Sequence, residues 1–291
     1  SSWLWSNDGA ISFADNKDGE IVDANKVPTY YTRAKLTTHN VVPSASNNVP
    51  IAEKETFKGE MTTAPSGKKL INFKQNMAVY VSFKINAKKG QKIALRFGEM
   101  LDENGELTLK NIQCSNKKIT TPLQTIQYTC KDGVNEYKPN FAIFGFTYME
   151  IDTEIDVSAD DFTAIAVYSD MEETGFFDSS NELLNKFVNA TKWSTKSNSA
   201  DLPTDCPTRE RHGWTGDAQI FFNTAAYLFD YATFSEKYIH DVYDWQQKDG
   251  KLPQIVPYGG VDFFMSWMNG SVGWSDVGVL LPYRFWKIYN D

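Results

Sequence analysis

The residues able to do chemistry crowd into one stretch. Asp201-Leu202-Pro203-Thr204-Asp205-Cys206-Pro207-Thr208-Arg209-Glu210-Arg211-His212-Gly213-Trp214-Thr215-Gly216-Asp217 holds four carboxylates, two guanidinium groups, an imidazole and an indole. Its two prolines and two glycines oppose regular structure, so the stretch is expected as a loop displayed at a helix end. So many charged groups are costly to fold unless they bind one another or a polar ligand. Two uses fit. One is an Arg–carboxylate network that staples the loop. The other is sugar chemistry, which needs a carboxylic acid to protonate a leaving oxygen, further carboxylates to grip hydroxyls, and an aromatic plane for a C–H face. Cys206 has no positioned base beside it and reads as packing rather than as a nucleophile; His212 reads as a hydrogen-bonded loop residue.

The elements that must position this loop change character along the chain. Up to about residue 170 the pattern favours strands. Residues 78–85 and 92–97 both alternate apolar and polar and are separated by Lys88-Lys89-Gly90, which predicts two adjacent strands joined by a turn. Further strands are expected at 125–130, 146–151 and 163–168, with turns at Asp102-Glu103-Asn104-Gly105 and Asp132-Gly133. Short strands with such punctuation predict an antiparallel sandwich. Residues 41–68, rich in Pro, Ser, Asn and Lys, read as a long loop or junction. After Tyr168, Ser179-Ser180-Asn181-Glu182 offers a capping box before Leu183, Leu184, Phe187, Val188 and Thr191, which share one helical face. Later helices are expected at 217–229, at 234–247 with Tyr238, Val242 and Trp245 on one side, and at 275–289, where Pro282 threatens a kink. The expected domains are an N-terminal segment at 1–68, partly β or loop, a β-sandwich at 69–172 and a helical domain at 173–291.

Composition narrows the partners. A net charge of -8 and the lack of a basic stripe argue against nucleic acid. The longest apolar runs fall far short of the roughly 20 residues of a membrane span. The 8 Trp, 14 Tyr and 19 Phe suit flat sugar faces, although aromatic-rich β packing accounts for most of them. Cys114 and Cys130 are placed to pair across a hairpin in an oxidising compartment. No His or Cys cluster has metal spacing, so no cofactor is expected; a calcium site in the sandwich has no support in the sequence.

The order of residues says more than their types. Asp-Cys-Pro-Thr-Arg-Glu-Arg-His-Gly-Trp-Thr-Gly-Asp-Ala-Gln, at Asp205 to Gln219, resembles the signature of the bacterial α-L-rhamnosidase family. Ile93 to Asp102, Tyr137-Lys138-Pro139-Asn140-Phe141 and Gly145-Phe146-Thr147-Tyr148 are similar to that family's β-sandwich domain. Phe177-Asp178-Ser179-Ser180 and Gly273-Trp274-Ser275-Asp276 resemble family segments as well. The likeness covers roughly residues 70–291 and is weaker before them. His212 departs from the pattern, which more often has an apolar residue there.

The resemblance implies a jelly-roll or concanavalin-like sandwich followed by the start of an (α/α)6 barrel, and hydrolysis that inverts the anomeric centre. It implies Glu210 as general acid, Asp205 and Asp217 as carboxylates holding rhamnose hydroxyls, Arg209 as a guanidinium beside them, and Trp214 as a pocket wall, with Trp274 and Asp276 placed in the same pocket. An acid catalyst must stay protonated near neutrality, which Asp205 and Asp217 could favour by repulsion. Arg209 and Arg211 would oppose this, so they are expected to point at the aspartates and the backbone. An inverting enzyme also needs a base roughly 6.5 to 9.5 Å from the acid. The resemblance places it at a Glu beyond residue 291, with Asp276 as a less suitable stand-in, so the chain reads as a fragment. An unfinished barrel would expose apolar helix faces and invite self-association. The implied substrate is a rhamnose-containing glycoside or polysaccharide of plant origin, met in a secreted or periplasmic location. The alternative is a carbohydrate-binding protein without catalysis.

Overall fold

A computed structural model describes residues 2–38, 41–112, 123–258 and 266–291. The chain divides into two compact units, residues 1–45 with 55–166, and residues 46–54 with 167–291. Its β region runs β1 (Ile11–Asp15), β2 (Gly19–Asp23), β3 (Ile51–Phe57), β4 (Glu60–Thr63), β5 (Lys69–Ala87), β6 (Lys92–Gly98), β7 (Met100–Leu101), β8 (Leu107–Thr108), β9 (Thr125–Thr129), β10 (Gly133–Tyr137), β11 (Phe144–Thr153) and β12 (Phe162–Ser169). Among the described residues, ten strands form one sheet in the order β1-β2-β9-β6-β11-β5-β12-β3, with β4 and β10 also paired to β5.

The 19-residue β5 makes this sheet curl. Its first half pairs with β11 from Lys69 to Val79, and its end pairs with β10 from Phe83 to Ala87. Alternation sends Ile71, Phe73, Met77, Val79, Val81, Phe83 and Ile85 into the core. There Phe97 stacks on Phe144 at 4.9 Å between ring centres and meets Phe146 at 4.8 Å. β2 and β9 run parallel, while β1–β2, β4–β5, β5–β10, β5–β11, β5–β12, β6–β9 and β6–β11 are antiparallel.

Two sequence expectations differ here. The strands on either side of Lys88-Lys89-Gly90 are not neighbours, because β11 lies between β5 and β6. The turn binds elsewhere: Gly90 N–H donates to the Cys130 carbonyl and Cys130 N–H to the Gln91 carbonyl, both at 2.8 Å, which delivers β6 to β9. Residues 41–68 also contain β3 and β4, whose Glu and Lys side chains hide the strand signal. Charge of this kind suits strands at or near a sheet edge.

The Tyr137–Phe141 segment owes its shape to a buried carboxylate. Glu20, 1% exposed, accepts the backbone N–H groups of Asn140, Phe141 and Ala142 at 2.9, 2.7 and 3.2 Å, and the Tyr137 hydroxyl. Burial, with Glu20 adding, pushes the Tyr137 pKa upward, so the phenol keeps its proton to donate. Cys130 is buried, which raises its thiol pKa; Cys114 lies outside the described residues, and with it the pairing of the two.

The second unit is helical, with a short hairpin of β13 (Ser199–Ala200) and β14 (Leu202–Pro203) ahead of the charged loop. Its helices are α1 (Glu182–Ser197), α2 (Thr215–Leu228), α3 (Ala232–Asp244) and α4 (Val277–Tyr289). α1 is capped by Asn181, whose side chain accepts from Leu183 N–H at 3.0 Å, rather than by the serines before it. Its apolar residues Leu183, Leu184 and Phe187 are exposed. The core lies among the other helices, where Phe222, Phe229, Phe234, Tyr238, Leu281 and Phe285 pack together. Tyr238 and Val242 are buried as their spacing predicts; Trp245 falls one residue past α3 and is 46% exposed. Pro282 sits inside α4. It has no N–H to give the Gly278 carbonyl one turn earlier, and the Tyr243 hydroxyl donates to that carbonyl instead, at 2.7 Å. α4 is thereby tied to α3 at its weakest point.

Candidate active site

The charged loop is closed on itself before it reaches α2. Asp205 N–H donates to the His212 carbonyl at 3.1 Å, and His212 N–H returns to Asp205 Oδ1 at 3.0 Å. Inside that closure Cys206 Sγ accepts Glu210 N–H at 3.2 Å. The cysteine therefore holds the turn that carries Glu210, while burial raises its thiol pKa and keeps it protonated. Arg211 adopts φ 57°, a left-handed conformation that costs a non-glycine residue about 1–3 kcal/mol and marks how tightly the turn is constrained.

Beyond the turn the backbone is clamped to a neighbouring segment. Trp214 forms an antiparallel bridge with Ile255; Thr215 N–H donates to the Gln254 carbonyl at 2.8 Å, and Val256 N–H to the Gly213 carbonyl at 2.9 Å. Tyr238 of α3 donates its hydroxyl to that same Gly213 carbonyl at 2.9 Å. Of the two glycines of the motif, Gly213 leaves no room for a side chain and Gly216 very little. A Cβ on Gly213 would lie 1.9 Å from the Val256 oxygen, and one on Gly216 would lie 3.0 Å from the Trp274 ring.

These constraints bring most of the sequence-predicted residues into one group. Trp214 Nε1 donates to Glu210 Oε2 at 2.9 Å, and Trp214 meets Trp274 edge to face at 6.5 Å. Asp205, Asp217 and Trp274 line a cleft of about 610 Å³ together with Ser194, Asn198 and Phe221. Asp217 is exposed on the first turn of α2, but the cleft walls thin its hydration. That desolvation is the main cause of a raised carboxyl pKa, and repulsion from Asp205 and Glu210 adds to it; a backbone hydrogen bond works the other way. Asp217 thus lies close enough to both Asp205 and Glu210 to feel their charge. Arg209 is exposed on the turn at 207–210. Asp276 stands at the head of α4 and accepts Gly273 N–H at 2.8 Å, which holds the loop carrying Trp274.

Sequence reading missed the residues that fix this arrangement from behind. Gln219, 4% exposed, donates to the Gly273 carbonyl at 3.2 Å and accepts from Arg284 Nη1 at 2.9 Å. Gln254, 2% exposed, donates to the Met268 carbonyl and to Ser271 Oγ at 3.1 and 2.6 Å. Buried amides of this kind carry no signal beyond their polarity, because their partners are remote in sequence. Among the described residues no group of His, Cys, Asp and Glu is arranged to hold a metal ion, and no helix is long and apolar enough to cross a membrane.

The β unit and the helical unit that follows it each match a domain of one protein family. Residues 62–168 match the bacterial α-L-rhamnosidase concanavalin-like domain, and residues 172–291 match the bacterial α-L-rhamnosidase 6 hairpin glycosidase domain. This chain belongs to the bacterial α-L-rhamnosidase family. It is 29% identical to an α-L-rhamnosidase of Alteromonas sp. (strain LOR), over 100% of this chain and 32% of that protein. It superposes with a TM-score of 0.84 and 29% identity on the Streptomyces avermitilis α-L-rhamnosidase solved in complex with L-rhamnose, covering 97% of this chain and 28% of that one. The α-L-rhamnosidase from Dictyoglumus thermophilum gives a TM-score of 0.81 at 28% identity, over 96% of this chain and 32% of that one. The chain thus spans about a third of the length of such relatives.

Proposed function

We propose that this protein hydrolyses terminal α-L-rhamnosides with inversion, Glu210 protonating the leaving oxygen. The observation that carries the reading is the grouping of Asp205 and Glu210 close enough to Asp217 to repel it, with Trp214 bonded to Glu210 and meeting Trp274. Asp205 and Asp217 line the cleft and are suited to bind sugar hydroxyls, Arg209 adds a guanidinium next to the acid in sequence, and Trp274, which lines the same cleft, offers an apolar face. A further Glu, outside the Asp205–Gln219 segment, would activate the water on the opposite face of the ring, as inversion requires. Asp276 is poorly suited to that task while it holds Gly273. The substrate class follows the family: rhamnose-containing glycosides or polysaccharides, met outside the cytoplasm by a secreted or periplasmic protein.

The test is cleavage of an aryl α-L-rhamnoside by the full-length protein and its Glu210→Gln variant, with proton NMR to identify the anomer released first. We expect β-L-rhamnose from the parent and a loss of at least about 100-fold in the variant. First release of the α anomer would refute inversion. Binding of rhamnose without cleavage, unchanged by Glu210→Gln, would instead mark a carbohydrate-binding protein.

A further inference from the structure

Trp214 has been treated as a wall for the sugar, but its polar atom is committed to the acid. The indole Nε1–H donates to Glu210 Oε2 at 2.9 Å. An indole N–H can only donate, so the oxygen it holds must act as acceptor and cannot be the one carrying the proton toward Trp214. The ring itself has little freedom. Its backbone bridges Ile255, its backbone amide N–H donates to the His212 carbonyl at 2.9 Å, and its ring meets Trp274 edge-on. Trp274 in turn packs over Gly216, where a Cβ would stand 3.0 Å from its ring, and follows Gly273, whose carbonyl is held by Gln219. A chain of fixed groups therefore runs from α2 through Trp274 to Trp214 and ends on one oxygen of Glu210.

We propose that Trp214 is the positioning residue of the general acid. It fixes the Glu210 carboxyl plane and occupies Oε2, so that the catalytic proton is carried and delivered on Oε1. In the glycosidic step the proton passes from Oε1 to the leaving oxygen as the C–O bond breaks, and the resulting carboxylate is stabilised on Oε2 by the indole N–H. The bond strengthens as Glu210 becomes charged, which places its stabilisation in the transition state rather than in the ground state. This role rests on the reading of Glu210 as acid.

A donor to the charged form stabilises the carboxylate that appears as the proton leaves, so removing it should slow the step that needs that proton. The other charged groups stay as they are: Asp205, Arg209, Arg211 and His212 on the same loop as Glu210, and Asp217 on α2. The experiment compares the full-length protein with Trp214→Phe, and with benzothienylalanine placed at 214 by nonsense suppression, which keeps the indole shape and removes only the N–H. Each is assayed on aryl α-L-rhamnosides of graded leaving-group acidity across pH, with Glu210→Gln alongside. We expect kcat to fall about tenfold or more on poor leaving groups, and much less on a dinitrophenyl leaving group that needs no proton. KM should be little changed. If Glu210→Gln shows the leaving-group dependence while both Trp214 variants keep the parent kcat on poor leaving groups and raise only KM, Trp214 is a sugar wall and the proposal fails alone. If Glu210→Gln shows no leaving-group dependence, the acid assignment fails and takes the proposal with it.

Discussion

At the scale of single residues, the carboxylate cluster is held in place against its own repulsion, and Asp217 shows the cost most plainly. Its pKa is raised by desolvation first and by Asp205 and Glu210 second, so the folded chain binds that proton more tightly than the unfolded chain does. The sign follows directly. Protonated Asp217 favours the fold, and the stability it contributes is complete below the ordinary Asp pKa of about 4 and is lost as pH rises through the raised folded value. Asp217→Asn should therefore melt at a higher temperature than the parent at neutral pH, and the gain should vanish on acidification below about pH 4. Activity should fall in the same variant, since a neutral amide is a weaker acceptor for a sugar hydroxyl. A neutral-pH melting temperature equal to or below the parent's would show that the cluster is not under electrostatic strain at this position. The clustering of these groups was legible in the sequence because Asp205, Glu210 and Asp217 lie within one short segment. The direction of the Trp214 indole, and the Gln219–Arg284 and Gln254–Ser271 contacts behind it, were not, because each depends on how separate segments meet.

At the scale of elements, local pattern foretold strands and helices better than it foretold their neighbours. The alternation in β5, β6, β9, β11 and β12 marks each as a strand, yet nothing local says that β11 separates β5 from β6. That order is decided by long-range pairs such as Tyr148 with both Asn72 and Gly98. β3 and β4 escaped notice because the charges that suit an edge also mask alternation. The charged loop is likewise positioned by a pairing between remote segments, through the close approach of Gly213 to Val256. Gly213→Ala sets a methyl against the Val256 oxygen at 1.9 Å, where only backbone movement can relieve the clash. The expected cost is about 3 kcal/mol, at the upper end for an overpacked site. It would be seen as a lower denaturation midpoint with an unchanged slope, together with an activity loss at temperatures where the variant is still folded. Gly9→Ala, where the added methyl meets nothing within 4 Å, is the control and should stay within about 0.5 kcal/mol of the parent. Equal midpoints for the two variants would show that the loop is not anchored at Val256.

At the scale of the molecule, two helix faces of the second unit carry large apolar side chains into solvent. On α4, Val279, Tyr283 and Trp286 are spaced to share a face and are 74%, 54% and 53% exposed. On α1, Leu183, Leu184 and Phe187 are exposed at 74%, 47% and 69%, after Phe176 and Phe177, which are exposed as well. The sequence marks these positions as apolar and periodic, which for most helices predicts burial. In the residues 1–291 they are open, and a contiguous patch of this kind drives association. The net charge of -8 opposes it by repulsion between copies. Salt weakens that repulsion, since screening shortens its range to about 10 Å at 0.1 M, and leaves the apolar attraction in place or strengthens it. The 291-residue chain should therefore self-associate reversibly, and more strongly as sodium chloride rises, when followed by sedimentation velocity. Leu184→Lys with Phe187→Lys should shift the population toward monomer while leaving the α2–α4 core and the loop hydrogen bonds unchanged. If the double variant associates as strongly as the parent, the α1 face is not the contact and Val279, Tyr283 and Trp286 on α4 become the surface to charge next. A monomer at every salt concentration would instead mean that repulsion and the polar surroundings of both faces outweigh their apolar area.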